Sequence, residues 1–360
     1  MFEVTKADTT VGARKSKQMK VLVAGGTGYI GSHTVVELLA AGYDVAIVDN
    51  FINSQPFILD NIRRVSGKDI SFLELDVTDK KAVFSYFEKE KDIKAIIHFA
   101  ALKAVGESGE QPLRYYQNNL DTLFNLLAAA ETFGVDKMLF SSSATVYGQP
   151  DKLPVTEESP VIAPESPYGN TKKMAEEIIR DVTKATTLKG ICLRYFNPCG
   201  AHSSGLLGEL PNGVPNNLVP YVTQTAAGIR EKLSIFGNDY NTPDGTAIRD
   251  YIHVVDLAKA HVSALTRMVE EKQKTPFEIF NIGTGKGYSV LEVVKAFESV
   301  NNIKLNYAIA QRRQGDIETL YADTTLANTE LGWKAELGLN EMMASAWKWQ
   351  QGLTKTTEKN

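Results

Sequence analysis

The segment KVLVAGGTGYIGSHTVVELLAAGYDVAIVDN, Lys20 to Asn50, contains the outline of a fold. An apolar run, KVLVA, leads into Gly25, Gly28 and Gly31 at three-residue spacing. A helical stretch closed by Gly42 follows, and DVAIVD ends on Asp49. Glycines between a strand and a helix let the backbone turn tightly and approach a pyrophosphate, whose charge settles on the helix N-terminus. Asp49 stands where it can accept both hydroxyls of a ribose and would repel a 2′-phosphate. The residues after it, NFINS, contain no arginine, so the spacing predicts an NAD site.

The same rhythm continues outward. Short β-rich runs return at ISFLELD, KAIIHFA, KMLFSSS and KGICLRYF, separated by longer helical stretches such as Leu113 to Thr132. Strands alternating with helices imply right-handed crossovers and a parallel sheet covered on both faces, a doubly wound α/β (Rossmann) fold. Asp76 in LELDVTD is expected at a strand end, facing the adenine or capping the next helix. After about residue 197 the pattern breaks into long Pro/Gly/Asn-rich connections, which predicts a smaller mixed α/β lobe over 198–350 following a first domain over 20–197, with later segments returning to that domain. Residues 1–19 read as a disordered extension without a secretory core, and 351–360 as a flexible tail.

The 360 residues are 43% hydrophobic with a formal net charge of −4. That is enough apolar material for a large core, and it lacks the basic excess of a nucleic-acid or anionic-membrane surface. No apolar run reaches the roughly 18 residues of a membrane span. Cys192 and Cys199 have neither metal-ligand nor disulfide-framework spacing, so reduced thiols, a cytoplasmic location and no metal site are expected.

SPYGNTKK places Tyr168 and Lys172 four residues apart, one turn on the same helical face. FSSSATVYG supplies Ser143 at a strand end, where doubly wound folds carry their chemistry. A phenol has an ordinary pKa near 10, so bringing it to about 7 takes some 4 kcal/mol of preferential phenolate stabilisation. Lys172 and an oxidised nicotinamide ring are the two cations available for this. Tyr168 would then take a hydroxyl proton while hydride leaves the same carbon, with Ser143 hydrogen-bonding that oxygen.

The glycine motif, the strand-end serine and Tyr-x-x-x-Lys together resemble the extended short-chain dehydrogenase/reductase family. Within it, the chain is similar to the UDP-glucose 4-epimerase branch. GGTGYIGSHTVVELL, IIHFAALKAVGES, SSSATVYG, SPYGNTKKMAE, LRYFNPCGAH, GVPNNLVPY, IFGNDYNTPDGTAIRDYIHVVDLA and FNIGTGKGYSVLEVV carry the likeness, in order, over residues 20 to 350.

The resemblance implies inversion at C4 of a UDP-sugar through a 4-keto intermediate, with NAD retained, and a homodimer. It makes Ser143, Tyr168 and Lys172 the catalytic set. It places Tyr29, Ile30, Asp49, Asn50, Asn53, Ser54, Asp76, Val77, Phe99, Ala100, Ala101, Lys103, Asn118, Tyr195 and Phe196 at the cofactor, with the three glycines. On the substrate side it places Lys103, Asn197, Asn217, Leu218, Ser234, Ile235, Phe236, Arg249, Tyr251, Arg313, Asp316 and Leu320. Arg249 and Arg313 would meet the diphosphate, Phe236 the uracil and Asp316 the uridine ribose. His253 and Asp256 are expected to be structural. Leu320 stands where some of these enzymes carry a Tyr, which leaves room for N-acetylated sugars.

A nucleotide-sugar 4,6-dehydratase would also need an acid/base pair after the strand-end hydroxyl. Ala144 and Thr145 occupy those places, and neither can do that work. A simple NAD-dependent oxidoreductase and a non-catalytic NAD-binding protein share the scaffold, but the intact Ser-Tyr-Lys set argues against the second.

Overall fold

The computed structural model describes residues 19–161, 164–313 and 316–357. In chain order the first half runs β1 (Lys20–Ala24), α1 (Tyr29–Ala41), β2 (Asp44–Asp49), α2 (Phe57–Ser66), β3 (Ser71–Glu74), α3 (Lys80–Lys89), β4 (Ile93–His98), α4 (Val105–Glu110), α5 (Pro112–Phe133), β5 (Lys137–Ser143), α6 (Pro167–Ala185) and β6 (Lys189–Tyr195). The second half runs β7 (Asn197–Cys199), α7 (Leu218–Ala226), β8 (Leu233–Phe236), β9 (Ile248–His253), α8 (Val254–Val269), β10 (Phe277–Ile282), β11 (Gly287–Ser289), α9 (Val290–Asn301), β12 (Tyr307–Ala310), β13 (Thr319–Leu320), α10 (Thr325–Glu330) and α11 (Leu339–Thr357).

Seven strands form one sheet in the order β10-β6-β5-β4-β1-β2-β3, with every pairing parallel. Their apolar side chains pack on both faces: Val21, Val23 and Ile97 belong to one core cluster, Leu22, Ile96 and Phe140 to another. Burial on both faces is why these strands read as continuous Val/Ile/Leu runs rather than alternating ones. The strand order reverses between β1 and β4, which opens a crevice at their carboxyl ends.

The later elements divide between two bodies. β10 completes the large sheet and α8 packs against α1, so 20–197 is not a closed unit. β11, β9 and β13 with β7 form a second sheet, and β12 pairs with β8. A third apolar cluster, including Val222, Phe297 and Met343, holds this lobe together. The expected tail boundary at 350 falls inside α11, which continues to Thr357. The expected extension over residues 1–18 lies outside the described residues.

Candidate active site

At the end of β1 the chain needs a left-handed turn, and Gly25 supplies it at φ +83°. A Cβ there would sit 2.7 Å from the Ala100 nitrogen, and one on Gly31 would sit 2.2 Å from the Gly25 oxygen. Any side chain would therefore fill the crevice between β1, α1 and the loop after β4. Gly28 caps α1 without a side-chain hydrogen bond, so the first N–H groups of the helix stay open toward that crevice. This cradle fits a pyrophosphate. Beside it Asp49 accepts from the Thr27 N–H at 3.0 Å and the Phe51 N–H at 2.9 Å, and Ser54 bonds Thr27 at 2.6 Å. The carboxylate is thereby fixed at the end of β2 where it can take a ribose.

Asn50, Asn53, Ile30, Phe99, Ala100 and Ala101 lie on the β-to-α connections and helix starts at this edge, and Asn118 lies within α5. Tyr29 is drawn inward and donates to the Gly200 carbonyl at 2.7 Å. Asp76 follows β3, which ends at Glu74, and accepts from the Thr78 N–H and hydroxyl at 2.9 Å and 2.7 Å; of the two roles expected for it, the helix cap belongs to another residue. The cap of α3 is Asp79, because its carboxylate reaches the Lys81 and Ala82 N–H groups. Val77 is buried beside this turn. Tyr195, the last residue of β6, has its hydroxyl bonded to His261 within the core.

Ser143 ends β5, and Ser166 caps α6 by accepting from Gly169 at 3.1 Å. Pro167 sets the first turn of α6, which places Tyr168 at the positive end of a 19-residue helix. The Ser143 hydroxyl stands close enough to Tyr168 to act on its phenol, in the direction that lowers its pKa. Thr145 gives its N–H and its hydroxyl to the Ser143 oxygen at 3.2 Å and 3.0 Å, which leaves the serine hydrogen free to point at the phenol or at a substrate oxygen. The residue that cannot serve as a dehydratase acid is here a support for Ser143.

Lys172 is buried one turn beyond Tyr168, its ammonium 5.8 Å from the centre of the phenol ring and 4.8 Å from that of Phe140. The charge relation differs from the simple expectation. Burial pushes the Tyr168 phenol up to about 12, against the hydrogen bond from Ser143 that lowers it. Burial also brings Lys172 down to about 8, while Cys192 and Glu176 act to raise it. Desolvation penalises both charged forms, so Lys172 alone does not make the phenolate.

Behind this set lies a buried polar network that the sequence reading passed over. Arg194 on β6 forks onto Glu176 of α6 at 2.9 Å and 2.7 Å, and Ser142 donates to Glu176 at 2.5 Å. Arg194 also reaches the Tyr147 hydroxyl at 2.9 Å, which donates to Asn281 at 2.7 Å. Two signals were available: Glu176 continues the four-residue series of Tyr168 and Lys172, and Arg194 is a charge inside an apolar strand. Asn119 was likewise missed; it clamps the Leu102 N–H and carbonyl at 2.8 Å and 3.0 Å and bonds Thr171 at 3.1 Å, which ties the loop bearing Lys103 to α6.

Across the crevice a small cleft is lined by Asn197, Cys199, Asn217, Leu218 and Tyr251. α7 begins at Leu218 with no side chain capping it, and its first residues, Leu218, Val219 and Pro220, line this cleft. Arg249 on β9 pairs with Asp316 at 2.5 Å, and the Arg313 guanidinium lies 4.0 Å from the centre of the Phe236 ring. Ser234 and Ile235 precede Phe236 on β8. Leu320, paired in register with Arg249, packs with Ala144, Tyr147 and Phe196. His253 caps α8 and Asp256 accepts from the Glu336 and Leu337 N–H groups, so both are structural. Both cysteines are free and buried. Among the described residues no His/Cys/Asp/Glu cluster could hold a metal, and no helix is long and apolar enough to cross a membrane.

Residues 22–346 match the family model described as GDP-mannose 4,6 dehydratase. A curated UDP-glucose 4-epimerase of Bacillus subtilis is 54% identical over 333 residues, covering 92% of this chain and 97% of its own. A human UDP-glucose 4-epimerase is 50% identical over 339 residues, covering 92% and 96%. The crystal structure of UDP-glucose 4-epimerase from Bifidobacterium longum in complex with NAD+ and UDP matches at TM-score 0.88 and 49% identity, covering 92% of this chain and 98% of that one. With Ala144 and Thr145 where a dehydratase needs its acid and base, the chain belongs to the UDP-glucose 4-epimerase family within the broader dehydratase-named family of extended short-chain dehydrogenase/reductases.

Proposed function

We propose that this protein interconverts UDP-glucose and UDP-galactose by inverting C4, with NAD as a retained cofactor. The observation that carries the reading is the meeting of Ser143, Tyr168 and Lys172 at the crevice between the glycine cradle and the uncapped start of α7. Bound NAD would accept hydride from C4 and return it to the opposite face. Tyr168 takes the proton of the 4-hydroxyl, and the helix N-terminus, Ser143 and Lys172 favour its phenolate. Ser143 donates a hydrogen bond to the C4 oxygen as the carbonyl develops; on the return step it relays to that oxygen the proton held by Tyr168, and is itself reprotonated by the phenol.

Arg249, Arg313 and the α7 N–H groups suit a diphosphate, which anchors the nucleotide while the sugar turns. For that, Arg249 must share or release Asp316, which then takes the uridine ribose. Lys103, Asn197, Asn217, Ser234, Ile235, Phe236 and Tyr251 complete the substrate wall. Gly25, Gly28, Gly31, Tyr29, Asp49, Asn50, Asn53, Ser54, Asp76, Val77, Phe99, Ala100, Asn118 and Phe196 serve the cofactor. Two free buried thiols accord with a reducing, cytoplasmic setting, and Leu113 and Phe124, exposed on α5, accord with a homodimer through the helices flanking the sheet.

The test is incubation of the purified protein with UDP-galactose without added NAD. Formation of UDP-glucose supports the reading. Accumulation of NADH, or dependence on stoichiometric NAD, refutes it.

A further inference from the structure

Glu209 lies in the long connection between β7 and α7, and its carboxylate links two residues of the proposed substrate wall that come from distant segments, Lys103 after β4 and Asn217 before α7. Lys103 Nζ and Asn217 Nδ2 both donate to its Oε1, at 3.2 Å and 2.7 Å. The Glu209 side chain is only 9% exposed, whereas that of Lys103 is 55% exposed and otherwise free in solvent.

The backbone that carries this carboxylate is itself held in place from behind. Trp349 on α11 donates its indole N–H to the Glu209 carbonyl at 2.9 Å. A Cβ on Gly208 would fall 2.4 Å from the same indole, so only glycine lets the chain lie flat there. The connection is also tied to the cofactor edge, because Asn61 donates to the Leu206 carbonyl at 2.8 Å and Asn212 to the Ile52 carbonyl at 3.0 Å.

We propose that Glu209 is a positioning residue for UDP-sugar binding, holding Lys103 and Asn217 in the arrangement that the diphosphate and its sugar require. The inference rests on the assignment of Lys103 and Asn217 to the substrate. It works in two ways. A flexible ammonium that is already immobilised loses less rotamer freedom when the ligand arrives. Asn217, with its amide drawn to Glu209, leaves the first N–H groups of α7 uncapped for an anion.

The experiment compares Glu209→Gln, Lys103→Met and Asn217→Ala holoenzymes with the wild type, using UDP-galactose in steady state and UDP alone in calorimetry. Glu209→Gln keeps the shape of the side chain and removes the charge. Its KM and UDP dissociation constant are expected to rise about tenfold, the effect of freeing one or two side chains, while kcat, NAD content and melting temperature hold. Glu209→Asp is expected to recover part of the loss. In the double variant Glu209→Gln/Lys103→Met, the two effects should combine to less than their product. The proposal is overturned if Glu209→Gln leaves KM unchanged or lowers it while Lys103→Met or Asn217→Ala raises it; the site reading then stands. If none of the three changes KM, the assignment of Lys103 and Asn217 falls and the proposal with it. A fall in kcat together with melting temperature marks a merely structural residue and also overturns it.

Discussion

Lys172 donates to the Ser141 carbonyl oxygen at 2.7 Å, so the ammonium one turn along α6 from Tyr168 is fastened to β5, the strand that ends in Ser143. α6 and β5 are thereby locked together at the point where the proposed mechanism moves a proton. Because Lys172 is held down to about 8 by burial, its charge is complete below that pH and declines above it. A cation next to the phenol favours its ionised form, and removing that cation raises the phenol's pKa. In Lys172→Met the acid side of the pH profile of kcat should therefore move to higher pH. An unchanged profile would remove Lys172 from the control of Tyr168.

Tyr168→Phe deletes only the hydroxyl that exchanges the proton. The half-buried ring still fills its place, so NAD and UDP should bind as before. Turnover is expected to drop by about 10² to 10⁴. A near-normal rate in the variant would show that another group is the base.

Asp49→Ala removes the acceptor that the Thr27 and Phe51 N–H groups hold at the end of β2. NAD loses its ribose partner, and NADP loses a repulsion. Titrations of apoprotein with both dinucleotides should show NAD weakened relative to NADP. Equal weakening of the two would place the ribose elsewhere.

Leu320 lines up beside Arg249 and packs on Phe196 and Ala144, the latter adjacent to Ser143. On the proposed placement of the sugar, an aliphatic side chain there, in place of a phenol, would leave room at its C2 substituent. The wild type is expected to interconvert UDP-GlcNAc and UDP-GalNAc as well, and Leu320→Tyr to suppress that activity selectively. Coupled assays on both substrate pairs decide it: absence of N-acetyl turnover in the wild type, or equal loss of both activities in the variant, refutes the expectation.

What the sequence by itself determined is local. The glycine spacing, the strand and helix around it and the acid at Asp49 lie within one stretch of chain, so β1, α1, β2 and the cradle were legible as letters. Tyr168 and Lys172 were legible for the same reason, since helical geometry relates residues four apart. Other features depended on contacts between distant segments. Glu209 meets Lys103 across 106 positions, and Arg194 meets Glu176 from a strand onto a helix. Nothing short-range marks Glu209, while Glu176 and Arg194 left only the faint signals of a helical series and a charge in an apolar run. The protonation of the site was not legible at all. Opposite charges at i and i+4 suggest a depressed phenol, but burial raises Tyr168 and lowers Lys172, and burial is a property of everything packed around a group. Spacing along the chain determined which residues could act together; the tertiary structure decided how much water each one keeps, and with it which charges the site can hold.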